Sequence, residues 1–531
     1  MNHQSQLRQL GRVLVESLQK IESYESELKK RREKDTIHVS TVGSTLSTAY
    51  EQLRNASEYA EDELLQQRAI RRYLRRVLSF HTKVATKGFG EELVTELTQA
   101  EYLLNDVTTK SDIKTIDIHI KTYYNAYWNY AAKEPNFTKR SVFQTWLLDA
   151  LAVRCEQTLK SHIRQLMFAH FAYTYLQDKV AMKKMVRPGE SIEPEDLSIL
   201  LYISIHRALL KSDTATIRSA LIDSYRKDIT NTDEFVAFNE KLDHLFESRT
   251  VTYAARIIGK NGASLRFIYS SFFAQNAPLS VADLKTPDTL EHTLRRHIEQ
   301  EYVELNKKLD RGIVRSIAFL LITKSIVGIG VEVPYDILVM GHILWIPLII
   351  NLLFPAVFIT FSRLTLSTPL PRNTTAIVRQ ITSMLYDDDS KAYSIKMPRE
   401  SRSIGFNIAY ALMFLTMFSG LTYILYLLQF NIVQGVIFFI FLSTASFLSF
   451  RLSRQIQELE VVHTSQGTIS LLRDIIYVPF IYVGQQISYR YSQINIVAMV
   501  LDILIELPLK TILRLVRQWT LFLNAKKDEL I

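Results

Sequence analysis

The stretch from Pro287 to Phe361 constrains this chain more than any other, because a charged helical pattern there runs without a strong breaker into the apolar sequence IVRSIAFLLITKSIVGIGV. Thr286-Pro287-Asp288 reads as a helix start. The Thr hydroxyl accepts from orphan N–H groups of the first turn, Pro at the first helical position loses a donor that would be unpaired anyway, and Asp288 suits the positive end of the dipole. Leu290, Leu294, Ile298, Tyr302, Leu305 and Leu309 then recur every three or four residues between charged ones, which is one apolar stripe on a solvated helix. The spacing predicts a continuous helix over 287–330, roughly 65 Å at about 1.5 Å per residue, with a turn at Pro334.

Four segments are long and apolar enough to cross a hydrocarbon core of roughly 30 Å: 312–330, 341–361, 406–428 and 432–450. Their connections set an orientation. The first, VEVPYDILVM, has Glu332 and Asp336 but no Lys or Arg, and the third, around Gln429 to Asn431, has no charge. The second, 362–405, holds Arg363, Arg372, Arg379, Lys391, Lys396, Arg399 and Arg402, and Arg451 and Arg454 follow the fourth segment. The positive-inside rule therefore puts both termini and this middle connection on the cytoplasmic side of a cell membrane. The N-terminus has no apolar core of signal-peptide length, which agrees. The expected fold is all-α: a polytopic helical membrane protein with a large cytoplasmic helical domain over 1–286 and a subdomain boundary near 186–194. A helical stalk follows over 287–311, then a four-helix transmembrane region over 312–450, and an amphipathic, interfacial region over 451–531.

Ionisable residues inside apolar segments mark functional positions by default. Arg315 lies near the cytoplasmic end of the first segment, where a long side chain reaches the headgroups. Lys324, near two-thirds depth, is harder to excuse, and Glu332, eight residues on along nearly the same face, is a partner for it; the plain alternative is a Lys reaching toward the outer headgroups or a structural ion pair that fixes helix register. Asp502 and Glu506, four apart, are the other candidate partners if the C-terminal helix dips inward. Residues 494–524 read as a helix at the cytoplasmic interface, with Lys510, Arg514 and Arg517 toward anionic headgroups and Trp519 as an anchor; the alternative is a re-entrant pair over 472–508.

In the N-terminal half the apolar residues fall at helical spacing. Leu7, Leu10, Leu14, Leu18, Ile21, Tyr24 and Leu28 read as an amphipathic helix or a short coiled-coil arm. A second helix carries Arg68, Arg71, Arg72, Arg75 and Arg76, which either meet phosphate or pair with Glu61, Asp62 and Glu63 one to two turns earlier. The cluster Tyr123, Tyr124, Tyr127, Trp128 and Tyr130 reads as core packing before a base-stacking platform. His162 and His170 have no carboxylate at ligand spacing, and the single cysteine, Cys155, sits in a helical pattern as a small core residue. RIIGKNGASLR, Arg256 to Arg266, resembles the helix, Gly-x-x-Gly and helix core of KH modules, with Gly259, Lys260, Asn261 and Gly262 as the loop. That resemblance implies RNA binding there, but the flanking β-strands of the family have no counterpart, and a helix stop and restart explains the same letters.

The net charge of +9 over 531 residues fits a surface lying on anionic lipid better than a nucleic-acid-binding one. No nucleophile, base and oxyanion donor assemble in the sequence, so neither enzyme activity nor a cofactor or metal is expected. The sequence ranks a membrane-anchored interaction or scaffold protein first, with a protein partner or a homo-oligomer. A transporter or channel using Lys324 with Glu332, Asp502 or Glu506 is second.

Overall fold

A computed structural model describes residues 7–32, 35–40, 62–364, 369, 371–387, 404–461 and 477–488, together with Thr48, Glu51, Leu515, Trp519, Phe522 and Lys526. Among these the fold is all-helical, and the one β feature is an isolated bridge between Thr36 and Thr109. The chain divides into two compact units: residues 1–8, 259–272 and 277–494, and residues 9–258, 273–276 and 495–531.

The second of these is built from helices α1 (Gln9–Arg32), α2 (Asp62–Val77), α3 (Phe89–Gln99), α4 (Lys110–Lys133), α5 (Phe137–Leu159), α6 (Ile163–Leu176), α7 (Asp196–Ile205), α8 (Thr214–Ser224) and α9 (Thr232–Glu247). α5 is the central element, with α2, α4 and α8 all packed against it. Its sequence explains this: Phe143, Leu147, Leu151, Val153 and Cys155 are fully buried on different sides of one helix. α1 is not a coiled-coil arm. Its stripe of Leu14, Val15, Leu18 and Ile21 is buried, the helix packs on α6, and Glu25 takes a bidentate pair from Arg164 at 2.7 and 2.8 Å. α5 and α6 are separate helices, since the chain leaves the helical path at Lys160 before α6 begins. The aromatic cluster lies on α4, with Tyr123, Tyr124, Tyr127 and Tyr130 buried and Tyr130 stacked on Phe143 at 4.3 Å. These rings belong to the core and present no stacking platform.

Helix α10 (Arg249–Asn261) holds Gly259, Lys260 and Asn261 in its last turn, and α11 (Ala263–Ile268) restarts after Gly262 alone. The loop of a KH module is therefore not formed, and no strand flanks it among the described residues.

In the other unit, α12 (Pro287–Val327) begins with the expected cap, Thr286 Oγ1 accepting from Thr289 N. It does not end at Pro334. A π-turn over Gly328–Glu332, one α-turn at Val333–Tyr335 and a second π-turn over Asp336–Met340 carry the helix to Met340, 54 residues in all. Pro334 lacks an N–H and its ring would strike the carbonyl four residues back; the wider π-turn just before it relieves that clash. The reversal comes instead at Gly341, whose φ of 74° is left-handed backbone. α13 (Trp345–Leu364) runs back.

The connection that sequence alone leaves as a charged loop contains α14 (Pro371–Tyr386), whose Ile377, Val378, Ile381 and Leu385 are buried and which packs on α12. Asn373 donates to Tyr302 Oη and to Leu459 O, at 2.9 Å each, and so ties α14 to the stalk. α15 (Ile404–Leu427) and α16 (Ile432–Gln457) are joined by the short connection over 428–431 and meet through side chains, with Phe418 stacked on Phe439 at 5.2 Å, and a further helix, α17 over 477–488, packs against them through Phe480. α12, α13, α15 and α16 are each long and apolar enough to cross a membrane. α15 leaves Leu412, Leu415, Tyr423, Ile424 and Leu427 bare.

Candidate functional site

α12 and its continuation bring Lys324, Glu332 and Asp336 together: an eight-residue step in a regular α-helix ends about 80° off, and the wider π-turn over Gly328–Glu332 takes up most of that offset. Their side chains are shut off from solvent: Lys324 is 2% exposed, and Glu332 and Asp336 are 0%. Lys324 Nζ donates to Glu332 Oε1 and lies 4.8 Å from the ring centroid of Phe441 on α16, a cation–π contact that solvates the ammonium on its other side. Glu332 Oε2 accepts from Asn351 Nδ2 of α13 at 3.1 Å, and the same nitrogen donates to the main-chain carbonyl of Gln434 on α16 at 3.2 Å. The ion pair inferred from spacing is present, and it joins three helices.

Asp336 anchors the second half of the network. Its Oδ1 accepts from Asn431 Nδ2 at 2.7 Å, and its Oδ2 accepts from Gln434 Nε2 at 3.0 Å and from Leu344 N at 3.2 Å. Asn431 and Gln434 form the capping box of α16. Each uses its amide oxygen on the other's backbone N–H, at 2.8 and 3.2 Å, which leaves both amide nitrogens for the carboxylate. Placing 331–340 in a loop hides Asp336, and its partners Asn351, Asn431 and Gln434 also escape the charge count. Two signals point to them: Asn431-x-x-Gln434 at a helix start, and a lone Asn351 in the apolar run of α13.

The other candidates are distributed differently. Arg315 is exposed on α12. Asp502, Glu506, Lys510, Arg514 and Arg517 lie outside the described residues, as does most of the proposed interfacial helix; Trp519 is exposed. The arginines of α2 meet carboxylates of other elements: Arg71 pairs with Asp149 at 2.7 Å, Arg72 with Glu51 at 2.6 Å, and Arg76 with Glu96. Arg68 is half-buried and Arg75 exposed, so the five do not form one open phosphate face. His162 stands 3.6 Å from Glu156, and burial, with Lys160 adding, pushes its imidazole down to about 4. Burial also raises the Cys155 thiol well above the ordinary thiol range, which leaves it unreactive. No group of three or more His, Cys, Asp or Glu side chains gathers at metal-binding distance among the described residues.

No protein-family model, curated protein or solved structure matches this chain.

Proposed function

We propose that this chain is a multi-pass protein of a cell membrane, with both termini cytoplasmic, and that its four apolar helices move a small charged species across the bilayer through the Lys324–Glu332–Asp336 network. One observation carries the reading: three ionisable side chains with almost no exposure share a helix apolar enough to span, and they are wired to two more such helices. Each such group at bilayer depth costs about 2.5–3.5 kcal/mol on insertion scales. An apolar cluster of the same volume holds helices together as well or better, so structure alone does not require these charges.

The test is flux. Full-length protein in proteoliposomes, driven by a potassium diffusion potential and followed with an internal pH dye and with a sodium dye, is expected to pass more charge than empty vesicles. Lys324→Met and Glu332→Gln are expected to abolish the difference while eluting as the same folded species. Flux equal to that of empty vesicles overturns the reading. The network is then a pin between helices, and the membrane-anchored interaction protein takes its place. That second reading has an observation of its own: an open groove between α6, α7 and α8, lined by Leu166, Met167, Tyr173, Ile199, Tyr202 and Tyr225. It predicts a stoichiometric protein partner in mass spectrometry of the complex purified in mild detergent.

A further inference from the structure

Lys324 pairs with Glu332, and Asp336 has no cationic partner among the described residues, so the buried network holds two carboxyl groups against one ammonium, a formal excess of one negative charge. We infer that it binds one small monovalent cation, an alkali ion or a proton. The inference rests on the proposed transport reading and names the species that reading leaves open.

Three further observations point the same way. First, Asn351 is 0% exposed, yet its Oδ1 has no hydrogen-bond donor. Flipping the amide does not help, because the neighbours of the other end, Glu332 Oε2 and the Gln434 carbonyl, are both acceptors and fix the nitrogen there. A buried acceptor of this kind calls for a donor or a cation. Second, Pro355 stands four residues after Asn351 inside α13, so the Asn351 main-chain carbonyl has no N–H in its ordinary helical position. Third, the donor atoms on offer here are all oxygens: the amide and main-chain carbonyls of Asn351, the Gln434 carbonyl and the Glu332 carboxylate. Oxygen ligands suit hard cations. Among the described residues no third carboxylate joins them, and two carboxyl groups against one ammonium match a monovalent ion and not a divalent one. Gln434 links the two parts, since its main-chain oxygen accepts from Asn351 while its side chain donates to Asp336.

Thermal unfolding of the full-length protein in detergent tests this without requiring transport. Sodium, lithium and potassium chloride are each titrated against choline chloride at constant ionic strength and pH 8, and pH is then titrated from 8 to 5 in choline alone. An ion held only by the folded state of a chain this long is expected to raise Tm by about 1–2 °C at ten times its Kd, and by about 4 °C at a thousand times. In Asp336→Asn the response to both titrations is expected to vanish. Asn351→Leu, which keeps Asp336 and its donors, is expected to lose the alkali-ion response by at least tenfold in midpoint concentration. A response to alkali ions identifies a metal ion; a response to pH alone that Asp336→Asn removes identifies a proton. Curves that are flat for every cation and for pH, or that keep their cation response in Asp336→Asn, overturn the inference. Flux without any of these responses leaves the transport reading standing and this one fallen; responses without flux do the reverse.

Discussion

Glu190 shows how much a single side chain organises outside the apolar helices. It follows the turn Arg187-Pro188-Gly189, and its carboxylate reaches the start of α10. There it accepts from Arg249 N at 2.6 Å, Thr250 N at 3.2 Å, Ser248 Oγ at 2.7 Å and Thr250 Oγ1 at 2.6 Å. Partial burial works to raise its pKa, but the four hydrogen bonds outweigh it and hold the acid down at about 2, against an ordinary value of 4.5. A carboxyl depressed in the folded state contributes stability that is complete above the unfolded pKa and is lost as pH falls through the folded one. The contribution should therefore fade between pH 4.5 and about 2. Thermal midpoints of the wild type and Glu190→Gln are expected to differ above pH 5 and to converge as pH drops through that window. A difference constant across it would mean that ionisation of Glu190 contributes nothing at the α10 terminus. The sequence makes Val186–Glu195 legible as a turn, but the destination of Glu190, some sixty residues on, is a tertiary fact that no local pattern encodes.

At the scale of the element, α17 illustrates what packing adds to periodicity. Residues 477–488 are too short to span, yet Phe480 is buried with Leu425, Phe438 and Leu442, and Gly484 lies directly on the Ser443 carbonyl of α16. A Cβ at Gly484 would run into that carbonyl and into the Ser443 carbonyl carbon, neither of which can rotate away. Gly435 in α16 has nothing within 4 Å of its would-be Cβ. The two glycines should therefore respond oppositely to alanine. Gly435→Ala is expected to stabilise by about 0.5–1 kcal/mol through helix propensity, and Gly484→Ala to destabilise by about 1–3 kcal/mol through overpacking. Urea-induced unfolding in detergent reads both, and a neutral Gly484→Ala would place α17 away from α16. Periodicity suffices for α1 and the stalk, where one pattern dominates. It failed at Pro334, because a π-turn absorbs a proline that a strict α-helix rejects, and at α14, whose four apolar residues are hidden among the charges of 362–405. Both failures bear on the site, since the first kept Asp336 in a loop and the second left the base of α12 without its partner.

For the whole molecule the open question is which ends of the apolar helices face which compartment, and the chain's single cysteine makes it accessible. Cys155 is fully buried on α5 and its thiol is raised by burial, so the wild-type protein should be silent to a membrane-impermeant maleimide. Two exposed positions then report opposite sides. His342 lies in the reversal after α12, a connection without Lys or Arg, and Asp387 ends α14 in the connection rich in them. If the positive-inside asymmetry orients the chain, His342→Cys is expected to label in intact cells. Asp387→Cys is expected to label only after permeabilisation. The first result carries further than topology. Leu344 N, two residues beyond His342, donates to Asp336, so a reagent that reaches position 342 from outside stands within one turn of the buried carboxylate. That would place Asp336 nearer the outer face, with Lys324 deeper along the same helix. Labelling of His342→Cys only from the cytoplasmic side would invert the protein. The deep ammonium and the outer carboxylate would then exchange compartments, and with them the direction in which a proton or alkali ion first meets Asp336.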